Sequence, residues 1–581
     1  MSDLDNIQDQ IAALIRKSEA FPTADDACIR SLAEVAVWMT IPGGATLFSQ
    51  GEPSGTMHIT VNGLLGVYVR TSDGEEILAG RIGPGELVGE MGCVTGERRS
   101  ATVRALRTTE VLSVTWEAAE PVARAHPVLL LSLCRTVVGR LRNVQEGRVA
   151  KVRPRTFCVM PHSAGDQHLR AFVEDLVAEF RALGSTFLVT KETCGDYTTD
   201  RLVALETKHE FVIYLTDGNQ TAWSRLCLRQ ADTVLITVQG TDAPQPIEPL
   251  TDVISPGIPV HMVFLWQDKI VPGKTAPWLD MLQPNTHFHV RSRRDAGRAA
   301  RLMTGNGLGL VLSGGGARGF AHVGVNCVFT DHDVPIDAVI GTSMGALIGG
   351  SIAMEWDLEY ARERAHRFSR RHPLLELVIP RRSLLSGRNL RSSLEDWFGD
   401  TEIEETPIRY TCVSVDLNTC TATTHPRGKL KTWIRASAAL PGIFPPVIEK
   451  AGLYIDGGVA NNLPTDIARD MGVNFVVAVD VGLVPDKAPV TSAQDAAPLA
   501  EVIPNILELL MRVGTIGSDV RGVTARQQSD VLLVPNVRSV GMLNFRAYDE
   551  AIKLGYDCAM EKIDQIKHRI PDVRTVSALE L

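Results

Sequence analysis

The stretch LVLSGGGARGFAHVG, residues 310–324, decides how the C-terminal half of the chain is interpreted. Gly314, Gly316 and Gly319 form a G-x-G-x-x-G pattern between an apolar run typical of a buried strand and a helix-like segment. Such a loop binds a dinucleotide when an acidic residue ends the second strand, about 20 residues further on. The available acid, Asp337, stands at the start of that strand instead. The pattern therefore does not predict a dinucleotide site.

The second strand ends in a serine, where the dinucleotide-binding acid would stand. Gly341-Thr342-Ser343-Met344-Gly345 is a G-x-S-x-G, typical of a nucleophile on a sharp strand-to-helix turn that excludes bulky neighbours. In a chain with 49 glycines the motif alone indicates only a tight turn. Its position beside the glycine-rich loop favours a nucleophile facing backbone donors. We therefore predict an oxyanion hole in the loop, formed by Gly314, Gly315, Gly316, Ala317, Arg318 and Gly319.

A nucleophilic serine needs a base. The stretch AGLYIDGGVANNLP places Asp456 at the end of a strand-like run, directly before Gly457 and Gly458. A D-G-G by itself is usually a turn, but after the other two motifs it becomes a candidate base. His322 follows the glycine loop at a helix start, where packing or capping is its expected role. A Ser–His–Asp triad through His322 is thus disfavoured.

The N-terminal part of the chain has a different residue pattern. Residues 41–115 form short strands punctuated by glycine, which predicts a small β-barrel or jelly roll with flanking helices. Within it, GELVGEMGCVTGERRSATVRA (85–105) places Glu90 after a glycine and Arg99 nine residues on. A guanidinium and backbone N–H groups would bind a phosphate, and a carboxylate would accept a ribose hydroxyl. This pair of charges suits a cyclic nucleotide.

Residues 156–300 alternate strand-like and helix-like segments, an α/β pattern. They contain PGKTAP (272–277), which is similar to the end of a P-loop. The residue five before Gly273 is Asp268 and not glycine, so G-x-x-x-x-G-K is not satisfied. Nucleotide hydrolysis is therefore disfavoured in this segment.

Composition excludes several classes of protein. The 581 residues carry a net charge of −9, which argues against a whole-chain nucleic-acid binder. The ten cysteines are scattered singly, without metal-ligand spacing, as expected of reduced thiols in the cytoplasm. The N-terminus is acidic and polar, unlike a signal peptide, and no apolar run approaches the ~18 residues of a transmembrane helix. We expect a cytoplasmic protein without a catalytic metal or cofactor, whose membrane contact is at most peripheral.

The stretch HPLLELVIPRRSLLSG (372–387) mixes Leu374, Leu375, Leu377, Val378 and Ile379 with Arg381 and Arg382. Two interpretations stay open. It is either a lid or interfacial patch that contacts anionic headgroups, or a buried strand with a solvated end.

The three C-terminal motifs together resemble the patatin-like phospholipase family, and most closely its neuropathy target esterase branch. The stretch IRASAALPGIFPPV (434–447) supports that resemblance. It implies a dyad with Ser343 as nucleophile and Asp456 as proton acceptor, acting on a fatty acyl ester of a phospholipid or lysophospholipid. Two departures are the lack of the N-terminal transmembrane anchor of eukaryotic members and a single recognisable nucleotide cassette.

The N-terminal segment resembles the phosphate-binding cassette of cyclic-nucleotide-binding domains, through Gly89-Glu90-Met91-Gly92 and Arg99-Ser100-Ala101. The resemblance implies that Glu90 holds the ribose and Arg99 the cyclic phosphate of cAMP or cGMP, as a regulatory ligand. Arg98 departs from the pattern, because many such cassettes have proline there.

We therefore predict a multidomain chain in four segments. They are a cyclic-nucleotide-binding-like jelly roll with helices (1–150), an α/β connector (151–305), an α/β patatin-like hydrolase (306–570) and a tail (571–581). The main alternative is a catalytically idle cyclic-nucleotide-dependent sensor or scaffold. A transcription factor is disfavoured because strand-like sequence, and no helix-turn-helix, follows Arg155. The sequence leaves a homo-oligomer open.

Overall fold

A computed structural model of the chain describes residues 3–18, 20–71, 73–145, 153–162, 167–194, 198–218, 221–246, 254, 257–370, 376–379, 381, 383–482 and 522–570. These residues fold into two compact units. One contains Met1–Val238, Gln245–Val263 and Gln283–His287, and the other contains Gln239–Pro244, Phe264–Leu282 and Phe288–Leu581. The predicted tail, 571–581, lies outside the described residues, and the predicted four-segment division stays a prediction.

The first unit begins with a jelly roll of two four-stranded sheets, in the orders β1-β8-β3-β6 and β2-β7-β4-β5. The strands are β1 (Val37–Ile41), β2 (Thr46–Phe48), β3 (Thr56–Asn62), β4 (Leu65–Arg70), β5 (Glu76–Ile82), β6 (Leu87–Val88), β7 (Thr102–Ala105) and β8 (Thr109–Thr115). Alternating apolar side chains fill the space between the two sheets, as the short glycine-punctuated strands predicted.

Four helices flank the jelly roll in sequence: α1 (Asp3–Lys17) and α2 (Asp26–Val35) before it, and α4 (Trp116–Ala125) and α5 (Pro127–Gln145) after it. The short α3 (Glu90–Thr95) lies between β6 and β7. The apolar faces of the four flanking helices pack on one sheet through residues such as Ile15, Leu32 and Leu129. No single described helix has the length and apolarity to cross a membrane. Only the pair α4–α5, bent by 117°, passes that test when the two are taken together.

A six-stranded sheet follows, in the order β10-β11-β9-β12-β13-β14. Strands β10, β11, β9 and β12 run parallel, as expected of alternating strands and helices. The elements are β9 (Thr156–Pro161), α6 (Gln167–Leu183), β10 (Thr186–Val189), α7 (Lys191–Cys194), α8 (Thr199–Lys208), β11 (Phe211–Leu215), α9 (Ala222–Gln230), β12 (Thr233–Gln239), β13 (Val260–Leu265), α10 (Thr275–Leu282) and β14 (Thr286–Val290).

The second unit is built on an eight-stranded sheet in the order β19-β20-β17-β16-β15-β21-β22, with β18 also paired to β17. Strands β17, β16, β15, β21 and β22 are parallel, whereas β18 and β20 run antiparallel to β17. The strands are β15 (Leu308–Leu312), β16 (Ala338–Thr342), β17 (Arg409–Asp416), β18 (Thr421–His425), β19 (Val447–Glu449), β20 (Gly452–Asp456), β21 (Phe475–Val479) and β22 (Val531–Leu533).

Helices cover this sheet: α11 (Arg293–Met303), α12 (Ala321–Asp331), α13 (Met344–Ala353), α14 (Leu358–Arg370), α15 (Arg388–Phe398), α16 (Leu430–Ser437), α17 (Thr465–Asp470), and the C-terminal Tyr548–Met560 and Ile563–Lys567. All strand residues of β15, β16 and β21 are buried. That burial on both faces explains the continuous apolar runs in the sequence. The predicted fold class, a jelly roll followed by two α/β parts, is confirmed.

Strand order places the two C-terminal motifs of the parallel sheet next to each other. Leu312 at the end of β15 pairs with Gly341 of β16, so the glycine loop and the serine turn leave the sheet side by side. Asp337, the acid at the start of β16, forms a buried ion pair with Arg301 at 2.7 Å and accepts the Leu308 N–H. Its role is therefore structural, which agrees with the absence of a ribose-binding acid.

Candidate active site and nucleotide pocket

Ser343 stands on a strained turn between β16 and α13. Its backbone has φ 55° and ψ −117°, a left-handed conformation that non-glycine residues rarely adopt outside functional sites. The flanking glycines are required by close backbone approach. A Cβ on Gly341 would lie 2.4 Å from the carbonyl oxygen of Gly345, and one on Gly345 would lie 2.2 Å from that of Leu312. The G-x-S-x-G spacing thus forms a sharp turn that presents Ser343.

Ser343 and Asp456 are in direct contact. The Ser343 hydroxyl donates a hydrogen bond to Asp456 Oδ2 at 2.7 Å, and Asp456 Oδ1 accepts the Gly458 N–H at 2.7 Å. Asp456 is buried, and that burial raises its pKa to about 7, although the hydrogen bonds from Ser343 and Gly458 act in the opposite direction. A Cβ on Gly457 would lie 2.3 Å from the Val413 carbonyl oxygen, which explains the glycine after the aspartate.

The sheet brings these two residues together through β17. Thr342, just before the serine, pairs with Val413, and Asp456 pairs with Ser414 on the other side of β17. Both side chains therefore emerge at one end of the sheet, 113 residues apart in sequence.

The glycine loop lies against Ser343, since a Cβ on Gly314 would be 3.0 Å from the Ser343 Cβ. Asn462 holds this glycine from both sides: its Oδ1 accepts the Gly314 N–H at 3.1 Å, and its Nδ2 donates to the Gly314 carbonyl at 3.2 Å. Gly316 adopts φ 56° against the Met542 carbonyl oxygen, a position closed to larger residues.

The six residues predicted for the oxyanion hole differ in whether their backbone N–H groups are already hydrogen-bonded. The Ala317 N–H donates to Met542 O at 2.8 Å, and the Arg318 N–H to Gly315 O at 3.3 Å. The Arg318 side chain donates to Val540 O through Nε, and Gly319 packs on Met344. Within the described part of the chain, the N–H groups of Gly315 and Gly316 make no hydrogen bond.

No histidine of the described ranges is hydrogen-bonded to either Ser343 or Asp456. His322 is buried, with Nε2 2.9 Å from the carbonyl oxygen of Ser313, and burial lowers its pKa to about 4. His425 stacks on Trp433 at 3.7 Å and lies 2.7 Å from the Ser414 hydroxyl. The arrangement favours a two-residue site over a triad.

Sequence reasoning missed two side chains that hold the site. The Ser343 N–H donates to the hydroxyl of Ser437 at 2.8 Å, and Asn462 fixes the glycine loop as described above. Ser437 lies in the stretch IRASAALPGIF and Asn462 follows the D-G-G in GGVANNLP, so both sat beside quoted motifs. Met542 had no signal, because only the folded chain brings its carbonyl to the loop.

The predicted nucleotide residues lie together in the first unit. Gly89 has φ 83° and precedes α3, which starts at Glu90 and contains Met91. Glu90 is fully buried: Arg140 of α5 donates to its Oε1, while its Oε2 has no hydrogen-bond partner in the described structure. Ser100 is exposed and Ala101 buried at the start of β7.

Arg99 folds onto the backbone of this pocket. It donates to the carbonyl oxygens of Gly89 at 2.9 Å and Thr56 at 2.8 Å, and to the Thr56 hydroxyl at 2.8 Å. Its guanidinium also stacks over the Phe48 ring at 4.0 Å. Arg98 points elsewhere and donates to Gly51 O.

The P-loop-like turn in the connector is capped from within the protein. The Gly273 N–H donates to the carboxylate of Glu405, and burial raises the pKa of that carboxyl group. An internal anion therefore occupies the donor that a nucleotide phosphate would need. No group of His, Cys, Asp or Glu side chains among the described residues is arranged to hold a metal ion.

Comparison with known families matches three parts of the chain. The patatin-like phospholipase model matches residues 310–469, the cyclic nucleotide-binding domain model residues 38–126, and the neuropathy target esterase family P-loop like domain residues 154–308. The chain therefore carries a patatin-like phospholipase domain over residues 310–469. One of the three matching models is named for the neuropathy target esterase family, and the predicted resemblance is confirmed.

Curated relatives cover most of the chain. Patatin-like phospholipase domain-containing protein 7 of Mus musculus is 30% identical over 91% of this chain and 45% of its own length. Lysophospholipase NTE1 of Candida albicans is 26% identical over 89% of this chain and 46% of its own length. This patatin-like chain therefore spans just under half the length of those relatives. An uncharacterised NTE family protein of Mycobacterium bovis is 28% identical over 91% of this chain and 92% of its own length.

Proposed function

We propose that Ser343 and Asp456 form a Ser–Asp dyad that hydrolyses the carboxylic ester of a phospholipid or lysophospholipid. The observation that carries the proposal is the 2.7 Å hydrogen bond from the serine hydroxyl to the buried aspartate. A carboxyl group with a pKa of about 7 is suited to exchange a proton with a hydroxyl near neutral pH.

Acylation begins when Asp456 accepts the Ser343 proton and Oγ bonds to the ester carbonyl carbon. The carbonyl oxygen becomes an oxyanion, which the Gly315 and Gly316 N–H groups stabilise, because both lack another acceptor. The intermediate then collapses, the bond from carbon to the leaving oxygen breaks, and Asp456 returns the proton to that oxygen. The alcohol departs and an acyl-Ser343 ester remains.

Deacylation repeats these steps with water. Asp456 accepts a proton as the water oxygen bonds to the acyl carbon, the same two N–H groups hold the second oxyanion, and the bond to Ser343 Oγ breaks. The proton returns to Ser343, which restores the dyad and releases a fatty acid.

The lipid class rests on the family and on apolar surroundings. One relative carries the name lysophospholipase, and the family model is that of patatin-like phospholipases. An apolar cluster that includes Leu385, Ile443 and Met542 lies next to the glycine loop. An acyl chain bound to this cluster would be shielded from water while its ester group lies at the glycine loop.

The test is a panel of phospholipids, lysophospholipids and a soluble short-chain ester, with labelling of the serine by a fluorophosphonate probe. Ser343→Ala and Asp456→Asn should each lower hydrolysis by about 10³-fold or more, and Ser343→Ala should abolish labelling. Ser351→Ala on the same helix, where the hydroxyl only bonds the Ile348 carbonyl, is the matched control. Full hydrolysis by Ser343→Ala would refute the proposal. No labelling of the wild type would favour the idle sensor.

We also propose that the jelly roll binds cAMP or cGMP and so regulates the hydrolase. The buried, unpartnered Oε2 of Glu90 supports a ribose hydroxyl donor there. In this proposal the Arg99 guanidinium, which donates to the Gly89 carbonyl oxygen, turns toward the cyclic phosphate. The cytoplasmic location stays a prediction, and a homo-oligomer stays open.

Calorimetry with each nucleotide tests this second proposal. Glu90→Gln and Arg99→Ala should each weaken binding by about tenfold or more, because each removes a charged partner of the ligand. Arg98→Ala, which removes only an exposed contact to Gly51, should bind like the wild type. Hydrolysis should change when the nucleotide is added, and a wild type that binds neither nucleotide at millimolar concentration would contradict the proposal.

A further inference from the structure

An exposed apolar arm stands out on the second unit. Leu377 and Ile379 are 78% and 80% exposed, with Val378 between them at 38%. The arm is hydrogen-bonded, since the Val378 N–H donates to Leu384 O at 3.1 Å and Leu377 bridges to Leu385. Leu374, Leu375 and Arg382 of the predicted patch lie outside the described residues. Of the two sequence interpretations, a buried strand is wrong for residues 377–379.

The arm is continuous with the apolar cluster beside the active site. Its partner segment, Leu384 and Leu385, donates backbone hydrogen bonds to the carbonyl oxygens of Gly442 and Ile443. The cluster also contains Leu440, Phe444, Met542 and Leu543. Because the Met542 carbonyl accepts the Ala317 N–H, this apolar cluster connects the segment that pairs with the arm to the glycine loop.

Four arginines accompany the arm: Arg381, Arg388, Arg391 and Arg435. Their side chains form no hydrogen bond or ion pair with any described residue. Burial and the charge of the neighbouring Arg391 together lower the pKa of Arg435.

Two acids of this region are already hydrogen-bonded or ion-paired. Glu376 caps the start of α15, where its carboxylate accepts the N–H groups of Arg388 and Asn389 at 2.8 Å. Further along α15, Glu395 pairs with Lys431 at 2.7 Å. Glu376 keeps its negative charge in these hydrogen bonds, but the four arginines outnumber it, so the surface around the arm carries a net positive charge beside exposed apolar side chains.

We propose that this surface, the arm 377–379 with Arg381, Arg388, Arg391 and Arg435, docks the protein on an anionic phospholipid bilayer. Leucine and isoleucine enter the acyl boundary while the guanidinium groups meet the headgroup phosphates, which is the combination that interfacial proteins use. What happens after docking rests on the proposed function, because the cluster behind the arm would take an acyl chain toward Ser343.

The experiment measures binding without turnover, using the full chain with Ser343→Ala. The protein is sedimented with vesicles of phosphatidylcholine alone or of equal parts phosphatidylcholine and phosphatidylglycerol. We expect tighter binding to the anionic vesicles, weakened by salt. Adding Leu377→Ser or Ile379→Ser should weaken binding by about tenfold for each side chain. The matched control is Val523→Ser, another apolar side chain that is 55% exposed.

A second set of variants separates charge from apolar contact. Arg388→Gln with Arg391→Gln should weaken binding to anionic vesicles and flatten its salt dependence, with little effect on phosphatidylcholine vesicles. Thermal unfolding verifies that each variant folds. In the active chain, the ratio of vesicle hydrolysis to soluble-ester hydrolysis should fall in both sets.

Two outcomes would overturn the docking proposal. One is unchanged vesicle binding after both arm substitutions. The other is a wild-type chain that binds neither vesicle but forms dimers that the arm substitutions dissociate, since a second copy then covers the surface. Because vesicle binding is measured with Ser343→Ala, it tests the docking proposal even if the dyad proposal fails.

Discussion

At the scale of single residues, Asp456 shows how surroundings set chemistry. The side chain is 1% exposed, and burial disfavours its charged form more than the hydrogen bonds from Ser343 and Gly458 favour it. Its pKa of about 7 lies far above the ordinary value of an aspartate. The carboxylate can therefore both take and return a proton near neutral pH.

We predict that kcat/KM for a soluble ester rises with pH and is half-maximal near pH 7. The direction follows because Asp456 must be deprotonated to accept the Ser343 proton, and its pKa is raised to about 7. The measurement is a rate profile between about pH 5 and about pH 9, with unfolding monitored at each end. A midpoint near pH 4, the ordinary value, would contradict the role of burial.

At the scale of elements, the conformation of the turn between β16 and α13 depends on its close approach to the end of β15. Gly345 is the tightest point, because its Cα faces the end of β15. This contact also fixes the distance between Ser343 and the glycine loop.

Gly345→Ala tests that close approach. The new Cβ would lie 2.2 Å from the Leu312 carbonyl oxygen, so the turn must shift and the Ser343–Asp456 contact with it. We expect hydrolysis to fall by about 10²-fold and the melting temperature to drop by several degrees. Gly80→Ala, with nothing within 4 Å of its Cβ, is the control. Normal activity in Gly345→Ala would show that the turn tolerates displacement.

The sequence predicts those parts of the site that are encoded locally. Strand ends followed by glycine located Gly314, Ser343 and Asp456, since short backbone approaches require small residues at fixed spacing. The contact between Ser343 and Asp456 depends on β20 running antiparallel to β17, which no periodicity indicates. Likewise, the sequence does not show which N–H groups of the glycine loop are hydrogen-bonded. Asn462 accepts the Gly314 N–H and Met542 accepts the Ala317 N–H, so the N–H groups of Gly315 and Gly316 between them remain available.

At the scale of the molecule, a buried ion cluster ties the jelly roll to the connector within the first unit. Arg107, in the turn after β7, donates to Glu206 of α8 at 2.8 Å and to Asp232 before β12 at 2.6 Å. Asn62 and Tyr214 also bond to the Glu206 carboxylate. The side chains of Arg107, Glu206 and Asp232 are all buried, so the charge of each is stabilised by the opposite charge of its partner.

Arg107→Met should destabilise the chain by about 3–5 kcal/mol, because it leaves two buried carboxylates without a cation. Arg104→Met is the control, since its ion pair with Glu76 is partly exposed and should be worth less than about 1 kcal/mol. Thermal unfolding of both variants gives the comparison. The triple variant with Glu206→Gln and Asp232→Asn should recover part of the loss, and equal stability of the two single variants would contradict this account.

The burial of Asp456 also affects folding. Since its pKa is about 7 in the folded chain and near 4 when unfolded, the folded state binds this proton more tightly. Protonated Asp456 therefore stabilises the folded state most below about pH 4, and this stabilisation is lost as the pH rises to about 7. The loss amounts to about 4 kcal/mol at ~1.4 kcal/mol for each pH unit. The ionised form, which the proposed mechanism needs, is therefore the one in which the native state is least stable, and a bound ester that neutralises or shares that charge would return part of the lost stability.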